Sequence, residues 1–364
     1  MTLEELAGQV LWCGWGDGDE PDPAGYNDHA RLLVEELQVG GLVLFPRNLG
    51  TAEEIAALTT RLRARAKRSP LIGIDQEGGR IARLARPGLV FVPNECLGRL
   101  DQPQTTQAAA RAIGEQLAAL GITVNFAPDI DVNNNPRNPV INNRSFGADP
   151  ERVARHGCAA LAGYLEAGIV PVVKHFPGHG DTSVDSHLAL PELAVDRARL
   201  DAVELVPFRA ALAAGAPAVM SAHILFRELD PERPGTLSRR ILTGLLREEL
   251  GFDGLVVTDC LEMRGIADHW TPEETAVLAL QAGADMLLVC HSLETQQRMH
   301  AAVCRAVREG ELSEARLAES AARIERCRAL TAVVEAAPRA PEKVGSEPYV
   351  ALERDLRRAC GIEG

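Results

Sequence analysis

Aromatic side chains are scarce: three Trp, three Tyr and eight Phe make up 4% of the 364 residues. So few rings argue against a base-stacking platform for nucleic acid or an aromatic sugar groove of the lectin kind. Positive charge is also in short supply, with 38 Lys and Arg against 51 Asp and Glu and a net charge of −13. Such a surface repels phosphate backbones and anionic lipid, so neither nucleic acid nor a membrane is expected as a partner. No apolar run approaches the roughly 20 residues that a membrane helix needs. Paired cysteines are missing as well. Cys13, Cys96, Cys158, Cys260, Cys290, Cys304, Cys327 and Cys360 include no CxxC, which excludes a zinc knuckle or a thioredoxin-like motif. The opening MTLEELAGQVLWCGW is acidic and has no apolar signal core. The expected location is therefore the cytoplasm, with the thiols reduced and mostly buried.

What the chain does have is a regular series of short apolar runs: QVLWCGW (9–15), VGGLVLFP (39–46), PLIGID (70–75), ITVNFAPDID (122–131), VPVVKHF (170–176), APAVMSAHI (216–224), GLVVTD (254–259) and ADMLLVC (284–290). Most are continuous rather than alternating, the pattern of strands buried on both faces. Helical stretches separate most of them, among them 51–67, 104–120, 150–168 and 237–251. This alternation predicts an α/β fold, a single (β/α)8 TIM barrel. An open doubly wound sheet is the rival, but WCGWGDGDEPDP fits a dinucleotide-binding turn poorly. The barrel is expected over 1–332, with a last helix at 312–330. A Pro-, Ala- and charge-rich linker and a short terminal helix complete 333–364, too little chain for a second domain.

In such a barrel the functional groups collect where strands end and loops begin. The third run ends in Asp75-Gln76-Glu77-Gly78-Gly79-Arg80, with Arg83 just beyond. The fourth ends in Asp129 and Asp131, and its long loop carries Asn142-Asn143-Arg144-Ser145-Phe146-Gly147. The fifth runs into Lys174-His175, the sixth into Ser221-Ala222-His223 and the seventh into Thr258-Asp259-Cys260. One charged residue after a strand is usually a cap or a turn. Five strand ends carrying such groups together imply a polar pocket of sugar or phosphate size.

The stretch KHFPGHGDTSVDSH, Lys174 to His187, admits three readings. His175 and His179 are spaced like zinc ligands, with Asp181, Asp185 and His187 to complete a sphere. Pro177, Gly178 and Gly180 make a helix improbable there, so that spacing loses its force. The second reading is a structural lid in which backbone bonds satisfy His179. The third is proton transfer: Asp185 and His187, two apart in an extended segment, share a side. The carboxylate can then orient the imidazole and raise its pKa. Asp259, at the end of an apolar strand, supplies the nucleophile this reading needs. Gly178 and Gly180 permit the loop to move.

GIDQEGGRIARL, NRSFGADP, KHFPGHGDTSVDSH and GLVVTDCLEM, in this order, resemble glycoside hydrolase family 3, and more closely its β-N-acetylglucosaminidase branch. The resemblance spans roughly residues 1–330, and GDTxxDSH is its most specific part. It implies Asp259 as the nucleophile of a covalent glycosyl-enzyme, His187 as acid/base and Asp185 as its companion. Asp75, Arg83, Arg144, Lys174 and His175 would hold N-acetylglucosamine by its hydroxyls, although Arg83 and Arg144 could instead form ion pairs that support the pocket. Many family members take an acid/base carboxylate from outside the barrel; here the donor is expected from the barrel's own loops.

The implied reaction is retaining hydrolysis of terminal β-linked N-acetylglucosamine, with no metal or organic cofactor. A muropeptide fragment is the expected substrate and a monomer the expected state. Action on β-glucosides and phosphorolysis are alternatives within the family. A metal-dependent hydrolase and a non-catalytic sugar-binding barrel are alternatives outside it.

Overall fold

The apolar runs become barrel strands because side chains pointing both ways from each backbone find apolar neighbours: a helix layer outside and the opposite strands inside. A computed structural model describes residues 1–16, 25–86, 88–185 and 188–362. Its strands are β1 (Leu11–Cys13), β2 (Gly41–Leu44), β3 (Leu71–Ile74), β4 (Val124–Asn125), β5 (Val170–Phe176), β6 (Ala218–Ser221), β7 (Leu255–Thr258) and β8 (Leu287–Val289). All pair in parallel, in the order β7-β6-β5-β4-β3-β2-β1-β8. A parallel bridge between Val257 and Met286, with Thr258 N–H donating to Met286 O (3.0 Å), joins the two ends and closes the barrel.

The lumen is packed solid. Trp12, Val43, Val124, Phe126, Val172, Met220, Val257 and Leu288 belong to one apolar cluster inside the strands. The rings of Trp12 and Phe126 lie 5.0 Å apart, tilted by 58°. Gly41 and Gly73 make the room: a Cβ at either would come within 2.6–2.9 Å of the indole of Trp12. A large side chain is thus accommodated by removing its neighbours' side chains.

The predicted helices form as Ala52–Arg65, Pro103–Ala119, Pro150–Glu166 and Arg240–Glu249. The last is wound in wider turns, ending with Leu250 N–H on Leu245 O (2.9 Å). The helix expected at 312–330 runs from Glu314 to Ala336, because helix formers continue until the proline-rich stretch begins. At the bottom of the barrel, buried Asp285 accepts from Arg247 (2.6 Å), Arg316 (3.3 Å), Arg323 (3.2 Å) and Ser320 (3.0 Å), tying this long helix to β7 and β8.

The fourth run yields only Val124–Asn125 as ladder. Pro128 has no N–H to donate, and pairing resumes at the Asp129–Lys174 bridge. The terminal helix, Glu347–Ala359, lies on the outside. The Gly345 amide donates to Gln116 Oε1 (2.9 Å), and Gln116 Nε2 reaches Gly88 O (2.6 Å), so the tail braces the loop that follows β3.

Candidate active site

At the C-terminal ends of the strands lies a cavity of about 370 Å³ whose walls include Asp75, Arg83, Arg144, Lys174, His175 and Asp259. The structure thus brings together six of the eight residues expected in the site. Asp185 is half-buried and does not line this cavity; its carbonyl accepts the amides of Leu188 (2.9 Å) and Ala189 (3.1 Å). His187 lies outside the described residues.

The polar floor is organised by an acid that the sequence reading left without a role. Glu77 is buried in the short extended segment Gln76–Gly78 that follows β3 and takes Arg144 on both oxygens (Nε–Oε2 2.9 Å, Nη2–Oε1 2.8 Å). It also receives Lys174 Nζ on Oε1 (2.6 Å). Lys174 Nζ in turn donates to Asp75 Oδ1 (3.0 Å), and Arg83 Nη2 stands 3.6 Å from Asp75 Oδ2. Arg83 and Arg144 therefore do form the supporting ion pairs weighed above, while still facing the cavity. Burial alone would push the Glu77 carboxyl up, but the charges of Arg144 and Lys174 outweigh it and hold it well below the usual carboxylate range. Likewise burial would lower the Lys174 ammonium, yet Glu77 and Asp75 raise it. The signal for Glu77 was its position two residues after Asp75, on the same side of an extended chain.

A second layer fixes the histidines. Asp131 accepts the His175 ring at Nδ1 (2.7 Å) and the His179 amide (2.7 Å). Burial, then Arg144, pushes His175 down to about 4, so its ring is neutral at pH 7. With Nδ1–H given to Asp131, its Nε2 is an acceptor facing Arg144 Nη2 at 3.5 Å. His179 is likewise pushed to about 4, by burial and then His175, and its Nδ1 meets Thr182 Oγ1 (2.8 Å). His179 is thus held in a structural network, though its ring meets a side-chain hydroxyl where the sequence pointed to backbone partners. Asp129, 3.5 Å from Arg144 through its Oδ2, is raised to about 7 by burial and then by Asp131.

The base of the 178–182 loop is tied down rather than hinged. Asn138 Nδ2 donates to His179 O (2.8 Å) and Gly180 O (3.0 Å), and Asn135 Nδ2 to Asp181 O and Thr182 O (both 3.2 Å). A Cβ on Gly180 would overlap the carbonyl of Val132, so glycine there serves a close backbone approach rather than motion. Asp181 meets Arg199 at 3.3 Å, apart from the His175–His179 pair. The zinc sphere drawn from loop spacing does not assemble among the described residues. A buried group of Asp129, Asp131 and His175 has ligand-type atoms close together, but Asp131 already holds the His175 ring, and Asp129 Oδ2, which has no hydrogen-bond partner, stands 3.5 Å from Arg144.

Asp259 follows β7 directly. Its amide reaches Ser221 O (3.3 Å), and its Oδ1 accepts the N–H of Cys260 (2.7 Å), which sets the carboxylate against the cavity wall. Its charge acts on the His175 ring, so the Asp259 carboxylate and the charged floor share one electrostatic environment. Phe45, Met220 and Met263 supply apolar wall.

The model of the glycosyl hydrolase family 3 N-terminal domain matches residues 2–327. The chain belongs to glycosyl hydrolase family 3. β-Hexosaminidase A of Pseudoalteromonas piscicida is 37% identical over 361 residues, covering 89% of this chain and 60% of the relative. β-Hexosaminidase of Thiobacillus denitrificans is 39% identical over 277 residues, covering 74% and 76%. A solved family 3 β-N-acetylglucosaminidase from Paenibacillus sp. superposes with a TM-score of 0.93 at 42% identity, over 99% of this chain and 69% of that one. This family 3 chain therefore spans about 60% of the length of the Pseudoalteromonas relative.

Proposed function

We propose that this chain is a retaining β-N-acetylglucosaminidase that releases terminal β-linked N-acetylglucosamine, working as a monomer in the cytoplasm on muropeptide fragments. The observation that carries the reading is the convergence of Asp259 with a charged, hydroxyl-binding floor in one cavity of about 370 Å³, near the lower end of ligand-sized sites. The relatives named above, called β-hexosaminidases, support the choice of aminosugar.

Lys174 and Arg144 point N–H donors, and Asp75 a carboxylate, at a sugar's hydroxyls. Glu77 and Asp75 together offset the charges of Lys174 and Arg144, so a neutral substrate meets preset dipoles. Asp259 attacks carbon one as the glycosidic bond breaks, forming a glycosyl ester through an oxocarbenium-like transition state. His187, oriented by Asp185, protonates the departing oxygen and then takes a proton from the water that cleaves the ester. Among the described residues, no helix is long and apolar enough to cross a membrane.

The test is mass spectrometry after exposure to a 5-fluoro aminosugar, alongside hydrolysis of an aryl β-N-acetylglucosaminide. The expected result is one glycosyl adduct on the peptide holding Asp259. An adduct on another carboxylate, or turnover without any adduct, overturns the assignment.

A further inference from the structure

Beside the nucleophile, three side chains of different chemistry meet on the cavity wall. The Cys260 Sγ, a Glu262 carboxylate oxygen and a His291 ring nitrogen lie within 4.8 Å of one another, and all three residues line the cavity. We propose that they form a site for a thiophilic divalent cation of the zinc class, distinct from the sugar-holding floor.

The donor set is soft sulfur, imidazole nitrogen and one carboxylate oxygen, the combination that Zn²⁺ and Co²⁺ take in tetrahedral sites. Glu262 is held in place for such a role. Its Oε2 accepts the amides of Cys290 and His291 (both 2.7 Å), and its Oε1 accepts that of Ser292 (2.8 Å). Oε2 also faces the Cys260 thiol at 3.9 Å and its lone pairs are taken by the two amides, so Oε1, with the Ser292 amide alone, keeps a lone pair for a cation. His291 packs its ring on Phe45 with centroids 5.7 Å apart. Zinc bonds of about 2.0–2.3 Å give tetrahedral edges of about 3.3–3.8 Å, so the triad must close by about 1 Å. The exposed His291 ring can supply that movement. The fourth position opens onto the cavity, where a sugar would otherwise lie.

Cys260 is also the residue whose amide holds Asp259 Oδ1 (2.7 Å). A cation drawn to its thiolate thus sits against the nucleophile and occupies sugar space, and occupancy blocks the sugar.

The probe is Co²⁺ added to the full-length protein and followed by near-ultraviolet and visible absorption, a readout that needs no glycosidase activity. The expected result is one equivalent bound with a thiolate-to-cobalt charge-transfer band that Zn²⁺ displaces. Losing an outer partner alone costs about 10–100-fold in metal affinity. Cys260→Ser should therefore abolish the band, and His291→Ala, at an exposed position, should weaken binding at least that much. No band, or a band that survives Cys260→Ser in folded protein, overturns the proposal. So does cobalt bound equally well by His291→Ala.

Discussion

Replacing Glu77 with Gln changes one atom and removes the charge that the pocket floor is built on. Arg144 uses both carboxylate oxygens and Lys174 one of them, so an amide must turn its NH2 toward a cationic N–H donor. Glu77 and Lys174 are both buried, and Arg144 is 10% exposed. Breaking such a pair from one side costs about 3–5 kcal/mol. Unfolding entropy of about 2.1 cal/mol/K per residue gives about 0.8 kcal/mol/K for this length, so Tm should fall by about 4–7 °C. The folded Glu77 pKa is depressed, so its contribution is fully present above the unfolded value of 4.5 and is lost as pH falls below it. Calorimetry of Glu77→Gln against the parent at pH 7 and pH 5.5 should therefore give the same gap, narrowing below about pH 4.5. Inhibition by N-acetylglucosamine should weaken in parallel. A shift under 1 °C at pH 7, or a gap that widens in acid, would refute the role given to Glu77.

Asp259→Ala should retain the fold by circular dichroism while turnover falls by about 10⁴-fold or more; His187→Ala should spare aryl glycosides with good leaving groups more than natural sugars, and equal losses on both would count against the acid role. Asp129 is held protonated up to about 7, a raised folded pKa that withdraws stability as pH climbs from about 4 toward 7. Asp129→Asn should therefore gain in Tm over the parent at pH 8 compared with pH 5, and the opposite trend contradicts the stated charge environment. Gly180→Ala forces a Cβ onto the Val132 carbonyl and should cost about 1–3 kcal/mol, with KM rising as the loop base shifts; unchanged Tm and KM would mean the contact is soft.

The barrel was legible because its strands are buried on both faces, and that burial writes long apolar runs into the sequence. All eight runs contain a barrel strand. The ends were less legible. Pro128 interrupts the fourth ladder, and the helix expected at 312–330 runs on to Ala336. In the site, Asp75, Arg83, Arg144, Lys174, His175 and Asp259 could be found because they follow strands. Glu77 and Asp131 were seen only as polar neighbours. Their importance comes from contacts between β3, β4 and β5 at separations of 44 to 97 residues, which spacing along one strand cannot show. The cavity does not include Asp185, which sits in the loop after β5 rather than at a strand end, and His187 is outside the described residues.

The clasp of one acid on two cations has an evolutionary corollary. Lys174 and Arg144 lean on the same acid, so a change that removes Glu77 strands both of their charges at once. Across relatives the three positions should be inherited or replaced as a set, and a lineage that abandoned the acid would be expected to carry uncharged side chains opposite it.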